Sequence, residues 1–138
     1  TTGNTEALAE ILGRFIQEAG HEPTLLNAAD ASAPGLCNGW DMILFGCSAW
    51  GDDEIVLQDD FDTLFQQFDL INAKGHKTAC FATGDSSFTY FCGAVDVIEG
   101  ALERVGANVV AEGLKIDGQA QSDQPEIHEW AKAVLEAL

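Results

Sequence analysis

Three groups of residues in this chain have the types and spacing that chemistry needs. The first is Thr1, Thr2, Gly3, Asn4 and Thr5, set directly ahead of Leu8, Ile11, Leu12, Phe15, Ile16 and Ala19, which recur at helical spacing. A helix start leaves about four backbone N–H groups without partners and carries roughly half a positive charge, so hydroxyls and an amide placed there complete a cradle for a phosphate. The same residue types serve as ordinary helix caps, and taken alone the group leaves both roles open. Arg14, the nearest basic residue, is too far along the helix to help. No Gly-Lys-Ser/Thr follows, which argues against a nucleotide-triphosphate loop, and no G-x-G-x-x-G supports a dinucleotide fold.

The second and third groups sit at the ends of apolar runs. Met42, Ile43, Leu44 and Phe45 lead through Gly46 and Cys47 into Ser48, Ala49, Trp50, Gly51, Asp52 and Asp53. Residues 77–82 lead into Thr83, Gly84, Asp85, Ser86, Ser87, Phe88, Thr89, Tyr90 and Phe91. A single loop aromatic more often covers a core than binds a ligand. Here two aromatic loops coincide with a phosphate cradle, and one ligand with a phosphate at one end and a flat heteroaromatic ring at the other explains all three.

The elements that must position these groups follow from periodicity. Four consecutive apolar residues bounded by turn chemistry suit a strand buried on both faces, as in a parallel sheet covered by helices, and ligands of such sheets sit beyond the carboxyl ends of the strands. The spacing predicts helices over residues 5–19, stopped by Gly20, and 92–105, stopped by Gly106. A short amphipathic helix is expected through Phe61, Leu64, Phe65 and Phe68, beginning from Leu57. A last helix opens on a D-x-x-E cap from Asp123 to Glu126 and buries Ile127, Trp130, Ala131, Val134 and Leu135. Strands are expected at 22–27, 41–48 and 77–82, with an extended segment at 108–116 interrupted by Glu112 and Gly113. Helices and strands alternate, which demands right-handed crossovers and a parallel α/β sheet, although the first helix has no strand ahead of it.

Composition narrows the function. The 138 residues fit one domain, 1–138, with a single core. Six basic residues against 23 acidic ones give a formal charge of −17, which repels nucleic acid and anionic membranes and attracts basic protein surfaces. No apolar run approaches the roughly 18–20 residues of a membrane span, and no signal peptide is recognisable at the start. Cys37, Cys47, Cys80 and Cys92 form no C-x-x-C pair and stand at no metal-ligand spacing, so buried reduced thiols in a reducing cytoplasm are expected, with no metal. The chain opens on Thr1 rather than Met, inside what reads as a loop, and further residues are expected ahead of it.

Together TTGNTE, GCSAWGDDE, LQDDF, GDSSFTYFCGAVD and GLKIDG resemble the short-chain flavodoxins of sulfate-reducing bacteria, along the whole chain. The resemblance implies a flavodoxin-like three-layer α/β sandwich on a parallel sheet of order 2-1-3-4-5, non-covalent FMN, and one-electron transfer between larger redox proteins rather than an enzyme's turnover. It implies further that Thr1, Thr2, Gly3, Asn4 and Thr5, helped by Ser48, hold the phosphate. Trp50 covers the inner ring face, with Ala49 and Asp52 also among the cofactor-binding residues, and Gly51 turns its carbonyl toward flavin N5 on one-electron reduction. A glycine makes that peptide rotation cheap, because a side chain penalises positive φ. Gly84, Asp85 and Cys92 offer backbone groups to the pyrimidine edge, with Thr83, Phe88, Tyr90 and Phe91 also among the cofactor-binding residues. Phe88 stands where such proteins usually carry a stacking Tyr. Stacking survives that change and the phenol hydroxyl does not. Partners would be basic-surfaced redox proteins such as cytochromes, reductases or hydrogenase-type enzymes, met by a monomer. Family members begin with an apolar strand of about ten residues that these residues lack. Its neighbours would stand about two strand spacings apart, near 9.6 Å, so the sequence is expected to be a piece of a longer protein.

Three other classes fit less well. A phospho-acceptor receiver domain needs an aspartate at the end of a central strand, where this chain has Gly46, Cys47 and Ser48. A small FMN-dependent reductase with its own substrate needs an acid, base or nucleophile over the ring, and His21, His76 and His128 all fall elsewhere. A bare binding scaffold would carry no flavin. Asp52, Asp53, Glu54, Asp59, Asp60 and Asp85 would surround the flavin with negative charge. At about 10 Å and an effective dielectric near 20, each opposes a second, anionic reduction by at most about 1.7 kcal/mol, roughly 70 mV, before screening. Neutralising Asp52 or Asp53 to Asn is therefore expected to raise the potential of the second reduction step, and an unchanged value in a redox titration counts against this electrostatic role.

Overall fold

The computed structural model describes residues 4–26, 30–47, 49–50, 56–57, 63–84, 93–117 and 120–138. Its elements in chain order are α1 (Asn4–Glu18), β1 (Met42–Gly46), β2 (Ala49–Trp50), β3 (Val56–Leu57), β4 (Lys77–Gly84), α2 (Gly93–Arg104), β5 (Asn108–Val109), β6 (Leu114–Asp117) and α3 (Pro125–Ala137), with a 3-10 turn at Phe68–Leu70. β4 lies at the middle. β1 pairs parallel along one edge, Met42 opposite Lys77 through Gly46 opposite Phe81, and β5 and β6 share the other edge.

Period-2 alternation along β4 sorts the core into two layers of apolar packing. Ala79 and Phe81 join Leu8, Ile11 and Leu12 of α1, Leu114 and Ile116 of β6, and Ile127, Trp130, Ala131 and Val134 of α3. Cys80 and Ala82 face the other way, into Val95, Ile98, Ala101 and Leu102 of α2, together with Phe45, Cys47, Leu64, Phe68 and Ile71. A sheet buried on both faces with helices outside is the expected three-layer α/β sandwich. Gly46 sits opposite Phe81, and a Cβ added there would overlap the Phe81 ring.

Helix ends follow the sequence. Gly20 and Gly106 take positive φ, and each closes its helix with a paired C-terminal motif: Gly20 N–H to Gln17 O with His21 N–H to Ile16 O, and Gly106 N–H to Glu103 O with Ala107 N–H to Leu102 O. The second motif turns the chain straight into β5. The extended segment near 108–116 is interrupted as expected. Two residues of β4 separate its pairings at Thr78 and Phe81, whereas four residues, 110–113, separate Val109 from Leu114. Side chains from both layers hold the break. Trp130 Nε1 of α3 donates to Glu112 O at 2.7 Å, and the Glu99 carboxylate of α2 accepts from the Gly113 N–H.

Several expectations need correction. Residues 22–26 form no strand: Leu25 and Leu26 remain more than half exposed, and among the described residues the segment enters no strand pairing that would satisfy its N–H and C=O groups. Residue 27 lies outside the described residues. Val56–Leu57 is not the start of a helix but pairs antiparallel with Ala49–Trp50, the five intervening residues being enough to reverse the chain. Helix resumes over 63–65, and residues 58–62 lie outside the described residues. The Asp123 cap does not form; Gln124 is the N-cap of α3 without a side-chain bond, because Pro125 at the first helical position already has the right φ and no N–H to satisfy. β4 runs two residues past its expected end, to Gly84.

Burial, with Asp96 beside it, raises the Glu99 carboxyl above its ordinary value; the Gly113 N–H and Lys115 pull it down, and Glu103 adds to the rise. Lys115 pairs with Asp96 at 3.1 Å. A raised folded-state value means that this group favours the fold below its unfolded pKa and loses that contribution as pH rises through the folded one. Glu99→Gln keeps an acceptor for Gly113 and removes the like-charge repulsion, so it is expected to raise Tm by about 1–3 °C at neutral pH, with the gain shrinking as pH falls through the carboxylate range. Thermal melts of both proteins at several pH values check this.

Candidate functional site

In a parallel sheet every strand ends at the same edge. Gly46 closes β1 there, Gly84 closes β4, and Asp117 of β6 lies opposite Gly84. The chain leaves this edge from β1 toward β2, from β4 into residues 85–92, and from β6 into residues 118–119. The start of α1 joins them: Thr5 Oγ1 lies 2.8 Å from Thr83 Oγ1, the residue before the last of β4. Thr83 is only 4 % exposed. It follows Ala79 and Phe81 on the face of β4 that packs against α1, so its hydroxyl meets the first turn of that helix.

The structure therefore brings Asn4 and Thr5 of the first candidate group to the carboxyl edge that ends in Thr83 and Gly84 of the third, and the backbone of Ala49 and Trp50 follows β1 in the short antiparallel pair. Thr1, Thr2, Gly3, Ser48, Gly51, Asp52, Asp85, Phe88, Tyr90, Phe91 and Cys92 lie outside the described residues. Two features went unread in the sequence. One is the hydroxyl-to-hydroxyl contact of Thr83, whose signal was a polar residue ending an apolar strand. The other is Asp117 beside Gly84, marked only by its place at the end of GLKID.

Among the described residues the donor set at this edge consists of hydroxyls and the first-turn N–H groups of a helix, with no lysine or arginine there. Such a set suits a phosphate monoester bound by hydrogen bonds and a helix dipole rather than by cationic side chains. The three histidines lie elsewhere. His21 follows α1, His76 precedes β4 at the opposite edge, and the His128 ring on α3 contacts Phe15 edge-on at 4.6 Å and bonds Ser122 O at 2.8 Å. Among the described residues no group of His, Cys, Asp and Glu is arranged to hold a metal ion.

The described thiols are structural. Cys37, Cys47 and Cys80 are buried and form no disulfide. Burial raises the Cys37 thiol, and burial followed by the nearby Glu99 charge raises that of Cys80. Thiolate is the reactive form.

The flavodoxin family model matches residues 1–130. The chain is 51 % identical over 138 residues to a flavodoxin of Nitratidesulfovibrio vulgaris, covering all of this chain and 93 % of that protein. It is 45 % identical to a flavodoxin of Maridesulfovibrio salexigens with the same coverage. Among solved structures, oxidised flavodoxin 1 of Bacillus cereus superposes with a TM-score of 0.86 at 28 % identity, over all of this chain and 93 % of that one.

Cys37 and Cys80 are expected to stay unmodified by a thiol-alkylating reagent in the native protein at neutral pH and to react fully once it is unfolded. Peptide mapping by mass reads each thiol separately, and rapid native labelling of Cys80 would contradict its assignment as an inert core residue.

Proposed function

The chain belongs to the flavodoxin family, whose members bind FMN and carry electrons, and on that premise we propose that it is a low-potential one-electron carrier that shuttles between larger redox proteins. The observation that supports this reading is the meeting of the α1 start with the carboxyl end of β4 through Thr5 and Thr83, two of the residues expected at the site. Residues 1–138 act as one FMN-binding unit. Bound FMN supplies the one-electron redox chemistry.

The chain's own residues bind and orient. Thr1, Thr2, Gly3, Asn4 and Thr5, with Ser48, hold the phosphate by hydroxyl, amide and backbone N–H donors at the positive end of α1. Ala49, Trp50, Gly51 and Asp52 line one side of the ring; Phe88, Tyr90 and Phe91 line the other, and Thr83, Gly84, Asp85 and Cys92 border its pyrimidine edge. The aromatic residues exclude water and contribute stacking of roughly 0.5–1.5 kcal/mol beyond their burial. Asp52, Asp53 and Asp85 disfavour added negative charge and bias the site to low potential.

A charge of −17 draws in basic-surfaced partners such as cytochromes, reductases or hydrogenase-type enzymes and speeds their encounter at low salt. The buried free thiols fit a monomer working in the cytoplasm. Turnover of a separate small substrate finds no support, since among the described residues no histidine stands at the carboxyl edge. Purified protein is expected to show the visible spectrum of oxidised flavin, and a reductive titration to resolve two separated one-electron steps. A colourless protein that takes up no added FMN, or steady turnover of a small substrate by the isolated protein, would overturn the reading.

A further inference from the structure

We propose that Asn38 and Gly39 form a self-modification site: the Asn38 carboxamide closes onto the Gly39 backbone nitrogen and becomes aspartate or isoaspartate, with the Asn72 side chain polarising the carbonyl that is attacked. The site lies ahead of β1, at the amino edge of the sheet, and stands independently of the FMN reading. Of the five asparagines only Asn38 precedes a glycine; Asn4, Asn27, Asn72 and Asn108 precede Thr5, Ala28, Ala73 and Val109. A side chain on the following residue crowds the attacking nitrogen, and glycine has none.

The fold adds to this local chemistry. Asn38 and Gly39 are the central residues of a turn in which Trp40 N–H donates to Cys37 O at 3.4 Å, and both are exposed. Gly39 takes a φ of +82°, and a Cβ placed there would meet nothing within 4 Å. Among the described residues no hydrogen bond holds the Gly39 N–H. The Asn38 carboxamide, by contrast, is held by its oxygen, because Asn72 Nδ2 donates to Asn38 Oδ1. The two side chains are carried on segments tied together by Gly35 N–H to Leu70 O and Cys37 N–H to Ile71 O, each at 2.9 Å. Asn72 has a φ of 61°, in the left-handed region that asparagine tolerates.

Attack at Asn38 Cγ moves electrons onto Oδ1, and a donor already aimed at that oxygen stabilises the charge that develops there. The Gly39 N–Cγ bond forms and the Cγ–Nδ2 bond breaks. The amide nitrogen leaves as ammonia with the proton that Gly39 gives up. Water then opens the cyclic imide at either carbonyl, giving aspartate or an isoaspartate whose main chain runs through Cβ. No electron is gained or lost, and either product adds one negative charge and about 1 Da.

The test incubates the full chain, folded, in neutral buffer for days and reads each asparagine by peptide mapping, as a gain of about 1 Da with the isoaspartyl peptide resolved by its elution. Asn38 is expected to convert at least about tenfold faster than the other four, and Asn38→Gln to abolish the shift in that peptide. Asn72→Gly suits the positive φ and removes the donor. It should slow conversion at Asn38 about three- to tenfold in the folded protein and leave it unchanged in denaturant. Asn72→Asp, which puts an acceptor where the donor was, should slow it as well, and it serves alone should Asn72→Gly fail to fold. Conversion at Asn38 no faster than at the other asparagines overturns the site. Equal or faster conversion in the folded Asn72 variants overturns the part assigned to Asn72.

Discussion

β4 pairs along both edges and packs on both faces, and the rest of the molecule takes its place from that strand. Its odd residues, Ala79, Phe81 and Thr83, address α1 and α3; its even residues, Cys80 and Ala82, address α2. A slip of one residue against β1 would exchange the two sets, place the Phe81 ring in the α2 layer and take the Thr83 hydroxyl away from α1. Gly46 opposes such a slip. Phe81 lies where any side chain opposite would overlap it, so the register that seats the ring is also the one that needs glycine at that position. The geometry of the site is thus set in the core, several residues before the chain reaches the loops.

Much of this was legible in the residues. The unbroken run Met42 to Phe45 and the run from Thr78 to Ala82 announced strands buried on two faces, and Gly20 and Gly106 stand where the helices close. The break at Glu112 and Gly113 was visible as two poor strand formers inside an extended segment. What failed depended on partners that sequence alone does not supply. Residues 22–26 have the composition of a strand, yet a strand is defined by its neighbour's hydrogen bonds. The pairing of Ala49–Trp50 with Val56–Leu57 was hidden because two residues are too few to show alternation. At Asp123, capping chemistry competed with Pro125, and the constraint on backbone φ won. The Thr5–Thr83 contact joins residues 78 positions apart, beyond the reach of any local pattern.

Electrostatics divides the molecule by depth. On the surface, charge is in large excess and few cations are present to pair it; Lys115 with Asp96 is an exposed pair of the kind that contributes little to stability. Inside, polar groups pair at two places: a threonine pair at the carboxyl edge, and at the break between β5 and β6 an indole N–H and a carboxylate that satisfy one backbone group each. The acidic excess is tolerated because the fold is held by the two apolar layers and by backbone pairing, which leaves the surface free to be chosen for association.

The break between β5 and β6 has a consequence for how this chain can vary in length. Four residues stand where β4 has two, and a surplus of two is even. Because side chains alternate across the sheet, an even surplus returns Leu114 and Ile116 to the α1 and α3 layer, whereas an odd one would turn both toward solvent and bring Lys115 inward. By this geometry, insertions and deletions between β5 and β6 are filtered by parity: a change of two residues keeps Leu114 and Ile116 on their layer and leaves the edge where Asp117 meets Gly84 in register.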